Sequence, residues 1–398
     1  MSTKQKETLS FLNFENMKSF VWNIYLISIH KSNINTMKTF FKINLYLLFL
    51  LSASIVNYSC TNESERNEVV ESIPDKDKQL LSSIGFKTEG LIDMGTYYVV
   101  EGDIMLEKRH LSEYNTIYRE SSGLKQVRYS ELISRSNQRS ITIGVSNSLK
   151  VQGKDNWLIE IQQAIAEWNS ITTCNIHLTY TTSLSPDILI SDDGGTLADN
   201  WLAVGSYPRG GKPGPRIKIN LDFWNNYTLT SSQKKYNMVH EIGHCIGFMH
   251  TNWSGLGESS GTVVPGTPNE GKNPDPNSVM NGGTPSYSWN GFSEYDIKAA
   301  ERIYPALLLE FVGFPYYLSG NQIGKDVSIS VKCLDNISQA NLNYEWFVNA
   351  GTLKSGQGTQ TIIVAPLSPV SFFVRVKVKD ISRGKDSTIE QFTQFSGY

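Results

Sequence analysis

The sequence predicts an α+β domain over residues 141–306, followed by an all-β domain over residues 307–398. In the first region, short apolar strands alternate with two segments of helical spacing, at residues 157–168 and around residue 240. After residue 305, only strand patterns separated by turn signals remain. The 398 residues allow two or three domains, and an apolar content of 39% is ordinary for a protein with a packed core.

The α+β region begins with a predicted strand at residues 141–145. A helix follows, whose apolar face is formed by Leu158, Ile161, Ala164, Ile165 and Trp168. Further strands are predicted at residues 176–178, 187–190, 202–205 and 217–221.

The most informative segment is HEIGHCIGFMH, at residues 240–250. His240 and His244 are four residues apart, so they lie one turn apart on the same face of a helix. Two imidazoles in this arrangement can bind one metal ion, and Glu241 is placed to act on metal-bound water. Gly247 can end the helix with a positive φ angle and turn the chain back, which makes His250 the third candidate ligand.

This H-E-x-x-H-x-x-G-x-x-H pattern resembles that of the metzincin zinc peptidases, whose signature continues with a methionine turn. Met280, in the sequence SVMN, is the candidate for that turn. A helix capped by Ser293, with Asp296 at its third position, resembles the closing helix of metzincin domains. The literal HEIGH, the SVMN turn and the closing helix together look like the bacterial dual-action HEIGH metallo-peptidases.

The resemblance implies a metzincin-like catalytic domain with a twisted mixed sheet, a backing helix and an active-site helix. It also implies an endopeptidase that hydrolyses protein or peptide substrates through a zinc-activated water, with Glu241 as general base. Met280 would be the apolar floor beneath the zinc ligands, and residues 202–205 resemble the exposed edge strand that pairs with an extended substrate. The implied ligands of one catalytic Zn²⁺ ion are His240, His244 and His250.

One position departs from a neighbouring branch of the superfamily. Astacin-type enzymes carry a zinc-binding tyrosine two residues after the methionine of the turn, where this chain has Gly282. Tyr287 and Tyr295 lie nearby in sequence, but no spacing assigns either of them to this role. Oxyanion stabilisation is therefore expected to rest mainly on zinc.

The alternative function is that of a surface lipoprotein that acts as a binding module and holds a structural zinc ion. Glu241 argues against it, because a structural metal site does not need a base. A net charge of −2 with interspersed acidic and basic residues predicts no nucleic-acid partner.

Residues 1–60 are predicted to be an upstream extension and a signal peptide. A basic start from Met37 and an apolar run at 43–56 precede Cys60, which resembles the acylated cysteine of a bacterial lipoprotein. Asn57 stands where leucine is usual, and a conventional cleaved signal or an uncleaved anchor are alternatives. Met37 is the expected start of translation, because residues 1–36 precede a complete signal. The protein is expected to be exported and lipid-anchored in the outer membrane or at the surface of a Gram-negative bacterium. The alternative is a secreted protein. Apart from the lipid anchor, no membrane contact is expected.

Residues 61–140 are predicted to be a tether and a pro-segment. The stretch VVEGDIML at 99–106 looks like the propeptide signature of astacins, in which an aspartate occupies the zinc; Asp103 is thus a possible latency switch. The alternative is a Gly-Asp turn between two strands. Residues 112–140 are predicted to be an exposed linker or to contain processing sites at Arg128, Arg135 and Arg139.

Three cysteines follow Cys60 in what is predicted to be an oxidising compartment. In metzincins the backing helix packs beside the active-site helix, which would place Cys174 near Cys245. A disulfide between these two and a pair of buried free thiols are both open. Cys333 is expected to be unpaired and buried.

The all-β region has predicted strands at residues 327–331, 344–348, 361–364 and 372–378. With Trp346 at a strand centre, the region resembles an immunoglobulin-like or PKD-like sandwich, although the second cysteine of a disulfide-bonded immunoglobulin domain is absent. We expect a spacer, with substrate or surface binding as the alternative.

Overall fold

The computed structural model describes residues 73–113, 127–259, 261–267, 275–318, 320–368 and 371–395. The predicted signal region and its Cys60 lie outside the described residues. Within the described ranges, no helix is long and apolar enough to cross a membrane.

The N-terminal and central parts of the chain contain ten strands and six helices in these described ranges. The strands are β1 (Ile92–Asp93), β2 (Tyr97–Val100), β3 (Ile104–Glu107), β4 (Val127–Arg128), β5 (Ile141–Val145), β6 (Leu178–Tyr180), β7 (Ile188–Asp192), β8 (Ala203–Ser206), β9 (Arg216–Ile219) and β10 (Thr262–Val263). The helices are α1 (Asp75–Ser83), α2 (Leu158–Ser170), α3 (Phe223–Asn226), α4 (Ser231–Cys245), α5 (Trp253–Leu256) and α6 (Glu294–Ile303). The strands and helices predicted between residues 141 and 221 are confirmed, with bounds that differ by one or two residues.

Eight of these strands form one mixed sheet in the order β1-β2-β3-β8-β9-β7-β5-β6. Strands β6, β5, β7 and β9 run parallel to one another, whereas β8 is antiparallel to β9. The prediction that residues 202–205 form an exposed edge strand is wrong, because β3 pairs in parallel with β8. The backbone groups that an edge strand would leave open are instead bonded to the segment before residue 113.

Helices α2 and α4 pack against one another on this sheet, and the indole Nε1 of Trp168 donates a hydrogen bond to the carbonyl of Val239 across 3.0 Å. Thr230 and Gln233 form a capping box at the start of α4. At its other end, Gly247 has a φ angle of +95°, which confirms the predicted helix end. The predicted cap of α6, made by Ser293 and Asp296, is also confirmed.

The segment that precedes β5 differs from the expected exposed linker. Tyr129 and Ile133 are buried, and Tyr129 stacks on Tyr207 with ring centroids 4.6 Å apart. The guanidinium of Arg128 donates to the carbonyls of Tyr129 and Ser130. Residues 127–140 are therefore part of the folded domain rather than a linker outside it.

The C-terminal region is a sandwich of two antiparallel sheets. Its strands are β11 (Leu309–Val312), β12 (Tyr317–Leu318), β13 (Val327–Cys333), β14 (Leu342–Asn349), β15 (Gly351–Ser355), β16 (Thr361–Pro366), β17 (Phe373–Asp380), β18 (Lys385–Phe392) and β19 (Gln394–Phe395). The sheets have the orders β11-β13-β16-β15 and β14-β17-β18 and enclose a core around Trp346, while β12 and β19 form a separate pair. All four predicted strands are confirmed, and they belong to β13, β14, β16 and β17.

This sandwich is joined to the α+β domain by directed hydrogen bonds. Arg135 donates to both carboxylate oxygens of Asp335, with its Nη2 at 2.8 Å from each, and to the carbonyls of Pro305 and Ala306. Lys385 Nζ donates to the carbonyl of Ile171 across 2.8 Å, beyond the end of α2. These bonds attach the sandwich to the α+β domain next to the end of α2, and its role as a spacer or a binding domain stays a prediction.

The three cysteines in the described part of the chain are free thiols, so the possible Cys174–Cys245 disulfide is not formed. Both side chains are fully buried, and the Sγ of Cys245 instead lies 3.6 Å from the carbonyl oxygen of Arg216 in β9. Burial raises the pKa of Cys174 to about 11 and favours its thiol form. Cys333 is half-buried rather than buried.

Candidate metal centre

Three histidines converge at the end of α4, as their spacing predicts. Helix α4 carries His240 and His244 on one face, and the turn at Gly247 brings His250 back towards them. The Nε2 atom of His240 lies 2.9 Å from that of His244 and 3.3 Å from that of His250. All three histidines are buried, with no more than 5% of any of these residues exposed.

Each imidazole is oriented by a hydrogen bond at its other nitrogen. His240 Nδ1 lies 2.7 Å from the carbonyl oxygen of Val279, and His244 Nδ1 lies 2.8 Å from that of Phe248. His250 Nδ1 lies 2.8 Å from a carboxylate oxygen of Glu258. Because these acceptors require a proton on Nδ1, the Nε2 lone pairs of the neutral imidazoles face one another.

Three lone pairs this close repel one another unless a cation lies between them. In a tetrahedral zinc site, the ligand nitrogens are about 3.3–3.4 Å apart, which the observed separations approach. Burial lowers the pKa of His244 to about 4, so this imidazole stays in its neutral, ligating form. The residues therefore fit a divalent metal ion bound through three nitrogens.

Asp103 faces the same point from the turn between β2 and β3. Its carboxylate lies 2.8 Å from His250 Nε2, 3.5 Å from His240 Nε2 and 3.7 Å from His244 Nε2. Burial alone would raise the pKa of Asp103, but the attraction of His250 in its protonated form and hydrogen bonds from His240 and His244 hold it well below its usual range. Asp103 thus lies in a turn between two strands, and its carboxylate belongs to a group of four residues that could hold a metal ion. Its role as a latency switch stays a prediction.

The backbone of Asp103 also contacts the sheet. Its carbonyl oxygen accepts a hydrogen bond of 2.9 Å from the amide of Gly205 in β8. The turn thus covers the strand that resembles the substrate-binding strand as well as the histidines.

Glu241 is only 3% exposed and borders the cleft beside His240. Its Oε2 atom has no hydrogen-bond partner among the described residues. Burial raises the pKa of Glu241 well above its usual range, and the negative charge of Asp103 adds to this effect. A buried carboxyl group with an unpartnered oxygen beside a metal-binding cluster is typical of a catalytic base.

The geometry agrees with the comparison to known families. The model of the dual-action HEIGH metallo-peptidase family matches residues 98–304, which is more than half of the chain. The chain belongs to this family. The match includes the turn with Asp103 and ends before the sandwich. A comparison with curated proteins gives no significant match.

In this metallopeptidase, Met280 lies against the active-site helix at Gly243. A β-carbon built at Gly243 would be 2.5 Å from the Sδ of Met280, so only glycine permits this approach. The carbonyl of Met280 accepts a hydrogen bond of 2.8 Å from the amide of Thr251, next to His250. The turn is thus fastened to the chain that carries the third histidine.

Asp296 of the closing helix holds this turn in place. Its carboxylate accepts hydrogen bonds of 2.6 Å from the hydroxyl of Ser278 and 3.0 Å from the amide of Val279. Val279 in turn orients His240. Sequence reasoning assigned Asp296 only to a helix cap, and the spacing of the capping box carries no signal for this second role.

The metallopeptidase has no room for a side chain at Gly282, where astacin-type enzymes carry tyrosine. A β-carbon there would lie 2.7 Å from the His250 ring. Tyr287 and Tyr295 do not line the cleft, whereas Tyr236 does, with its hydroxyl 2.8 Å from that of Thr284.

The cleft has a volume of about 920 Å³ and extends away from the histidines. The N-terminal segment forms one wall with Lys87, Glu101 and Asp103. Trp201 and Trp224 also line the cleft, and Trp224 is 45% exposed. A ligand bound in the cleft can therefore contact aromatic surface.

Proposed function

We propose that this metallopeptidase is a zinc-dependent endopeptidase of the metzincin type, exported in a latent form. The observation that carries the proposal is the convergence of three buried imidazole nitrogens with Glu241 beside them. A zinc ion held there would supply a Lewis acid for the scissile carbonyl and lower the pKa of water towards neutrality.

The base of the reaction is Glu241, which accepts a proton from the attacking water and delivers it to the leaving amine. Its unpartnered oxygen is free to bind water. Withdrawal of Asp103 removes one of the charges that raise the pKa of Glu241, and this favours the ionised form that a base requires.

The turn with Asp103 keeps the enzyme latent in two ways. Its carboxylate, 2.8 Å from His250 Nε2, occupies the position that a catalytic metal site keeps open for water or substrate. Its strand β3 occupies the edge of β8, with which an extended peptide would otherwise pair. The substrate position and the substrate strand are thus blocked by one segment.

Export remains a proposal from residues 37–60, with lipid attachment at Cys60. Mass spectrometry of the protein purified from membranes should show a chain that begins at an acylated Cys60. An unmodified N-terminus upstream of this residue would contradict that proposal.

The enzymatic proposal is tested with the full chain loaded with zinc and incubated with fluorescent casein, with and without a chelator. Because the wild-type chain is expected to be latent, the Asp103→Ala variant is assayed beside it. We expect hydrolysis by Asp103→Ala that the chelator abolishes, and loss of hydrolysis with retained zinc when Glu241→Ala is added. If zinc binds tightly and no variant cleaves casein or a peptide library, the alternative of a binding module with a structural zinc ion is favoured.

A further inference from the structure

Glu258 differs from the other groups that orient the candidate metal ligands. His240 and His244 donate to backbone carbonyls of the methionine turn and the end of α4. His250 instead donates to a side chain, the carboxylate of Glu258, whose Oε2 lies 2.8 Å from Nδ1. The orientation of the third histidine therefore depends on where a loop places one carboxylate.

The N-terminal segment holds that loop on both sides of Glu258. The amide of Ser259 donates to the carboxylate of Glu101 across 2.8 Å. The amide of Lys87 donates to the hydroxyl of Ser259 across 3.1 Å, and its Nζ donates to the carbonyl of Gly257. The same loop has two backbone bonds to its own short helix, from the amides of Gly257 and Glu258 to the carbonyls of Ser254 and Trp253.

Glu101 has an unusual backbone at this contact. Its φ angle is +53°, a conformation that residues with a side chain rarely adopt. Glu101 and Asp103 belong to one turn. The carboxylate of Asp103 faces the histidines, and the carboxylate of Glu101 binds the loop that carries Glu258. A strained backbone conformation of this kind is maintained only where the surrounding contacts hold it in place.

We propose that Glu258 is a positioning residue for His250 and that the N-terminal segment fixes Glu258 through Glu101 and Lys87. The segment therefore sets the metal affinity of the site in addition to blocking it. This inference rests on the proposed role of the three histidines as metal ligands. A carboxylate on the distal nitrogen of a ligating histidine fixes its tautomer and raises its basicity, and loss of such a partner weakens metal binding by about 10- to 100-fold.

The test measures zinc affinity of the full chain by competition with a chromophoric chelator, and records the visible absorption of the Co²⁺ form. We expect Glu258→Ala to bind zinc about 10- to 100-fold more weakly and to alter the Co²⁺ spectrum. Glu258→Gln keeps an acceptor for His250 and should restore a large part of the affinity. Asp75→Ala, which removes an exposed carboxylate of α1 in the same N-terminal segment and outside the cleft, is the matched control and should change neither quantity.

The coupling to the segment is tested with Glu101→Ala, which leaves Glu258 in place. We expect weaker zinc binding in this variant too, by a smaller factor than in Glu258→Ala. Equal zinc affinity in the wild type and Glu258→Ala would overturn the positioning role, and equal zinc affinity in the wild type and Glu101→Ala would overturn the coupling.

If the wild type itself fails to bind zinc, the proposed function is overturned rather than this inference. Circular dichroism of the metal-free variants shows whether a loss of zinc affinity is caused by unfolding. If Glu258→Ala is unfolded, Glu258→Gln decides. Wild-type affinity and a wild-type Co²⁺ spectrum in Glu258→Gln support an acceptor role, and weakening as large as in Glu258→Ala overturns it.

Discussion

Asp103→Ala removes the carboxylate that faces the candidate metal ligands and leaves the backbone of its turn intact. The hydrogen bond from Gly205 to the Asp103 carbonyl and the pairing of β3 with β8 do not depend on the side chain. The substitution therefore separates blocking of the metal from blocking of the substrate strand.

The magnitude follows from the loss of one charged group from the four residues that could hold the metal ion. We take the attraction between this carboxylate and the bound zinc to be at least that of a hydrogen bond to a charged group, about 1.5–3 kcal/mol. Since about 1.4 kcal/mol corresponds to a factor of ten, the ratio of open to closed enzyme should rise about 10- to 150-fold. Activity should rise by a similar factor and stay below that of an enzyme without the segment, because β3 still covers β8.

The assay is the initial rate of hydrolysis of a quenched fluorescent peptide by the full chain at saturating zinc. Asp75→Ala is the control, because it removes an exposed carboxylate from α1 of the same N-terminal segment. An Asp103→Ala rate equal to that of the wild type, with zinc bound and Glu241-dependent cleavage present in both, would refute latency through this residue.

Three further substitutions test the site and its supports. Glu241→Gln should retain zinc and lose at least about 100-fold in kcat, because general base catalysis contributes about 10²- to 10⁴-fold; retained turnover would exclude this base. Gly243→Ala should lower the free energy of unfolding by about 1–3 kcal/mol in denaturant titrations, since its β-carbon would lie 2.5 Å from Met280 Sδ. Arg135→Ala should cost about 1.5–3 kcal/mol in the same measurement, because it leaves Asp335 without its bidentate partner at the joint between domains.

Two control substitutions show whether the expected losses of stability are specific to Gly243 and Arg135. Gly255→Ala places a β-carbon where no atom lies within 4 Å, so it should change stability much less than the glycine substitution in α4. Arg375→Ala breaks an exposed ion pair with Glu390, which contributes little to stability. If either control matched its test variant, the proposed packing or the proposed joint would be wrong.

The convergence of the candidate metal ligands could be predicted, because helical periodicity alone brings His240 and His244 together. A glycine signal explains the return of His250. Glu258 could not be found in this way, because its contact with His250 depends on a loop held from residues 87 and 101. Local sequence patterns do not encode such contacts between distant segments.

The covered edge of β8 was missed for a similar reason. Apolar alternation predicts that β3 is a strand, but parallel pairing with a strand about a hundred residues later has no local signal. The disulfide, one of the two alternatives that the sequence left open, would have required neighbouring helices to bring their cysteines together. Cys174 lies beyond the end of α2 and forms a backbone bridge with Pro305, while Cys245 faces β9.

Anomalous scattering from crystals of the full chain at the zinc absorption edge tests the central claim most directly. We expect one strong peak within bonding distance of the Nε2 atoms of His240, His244 and His250, with the Asp103 carboxylate as the fourth ligand. A zinc peak elsewhere in the molecule, or none between these nitrogens at saturating zinc, would contradict the account.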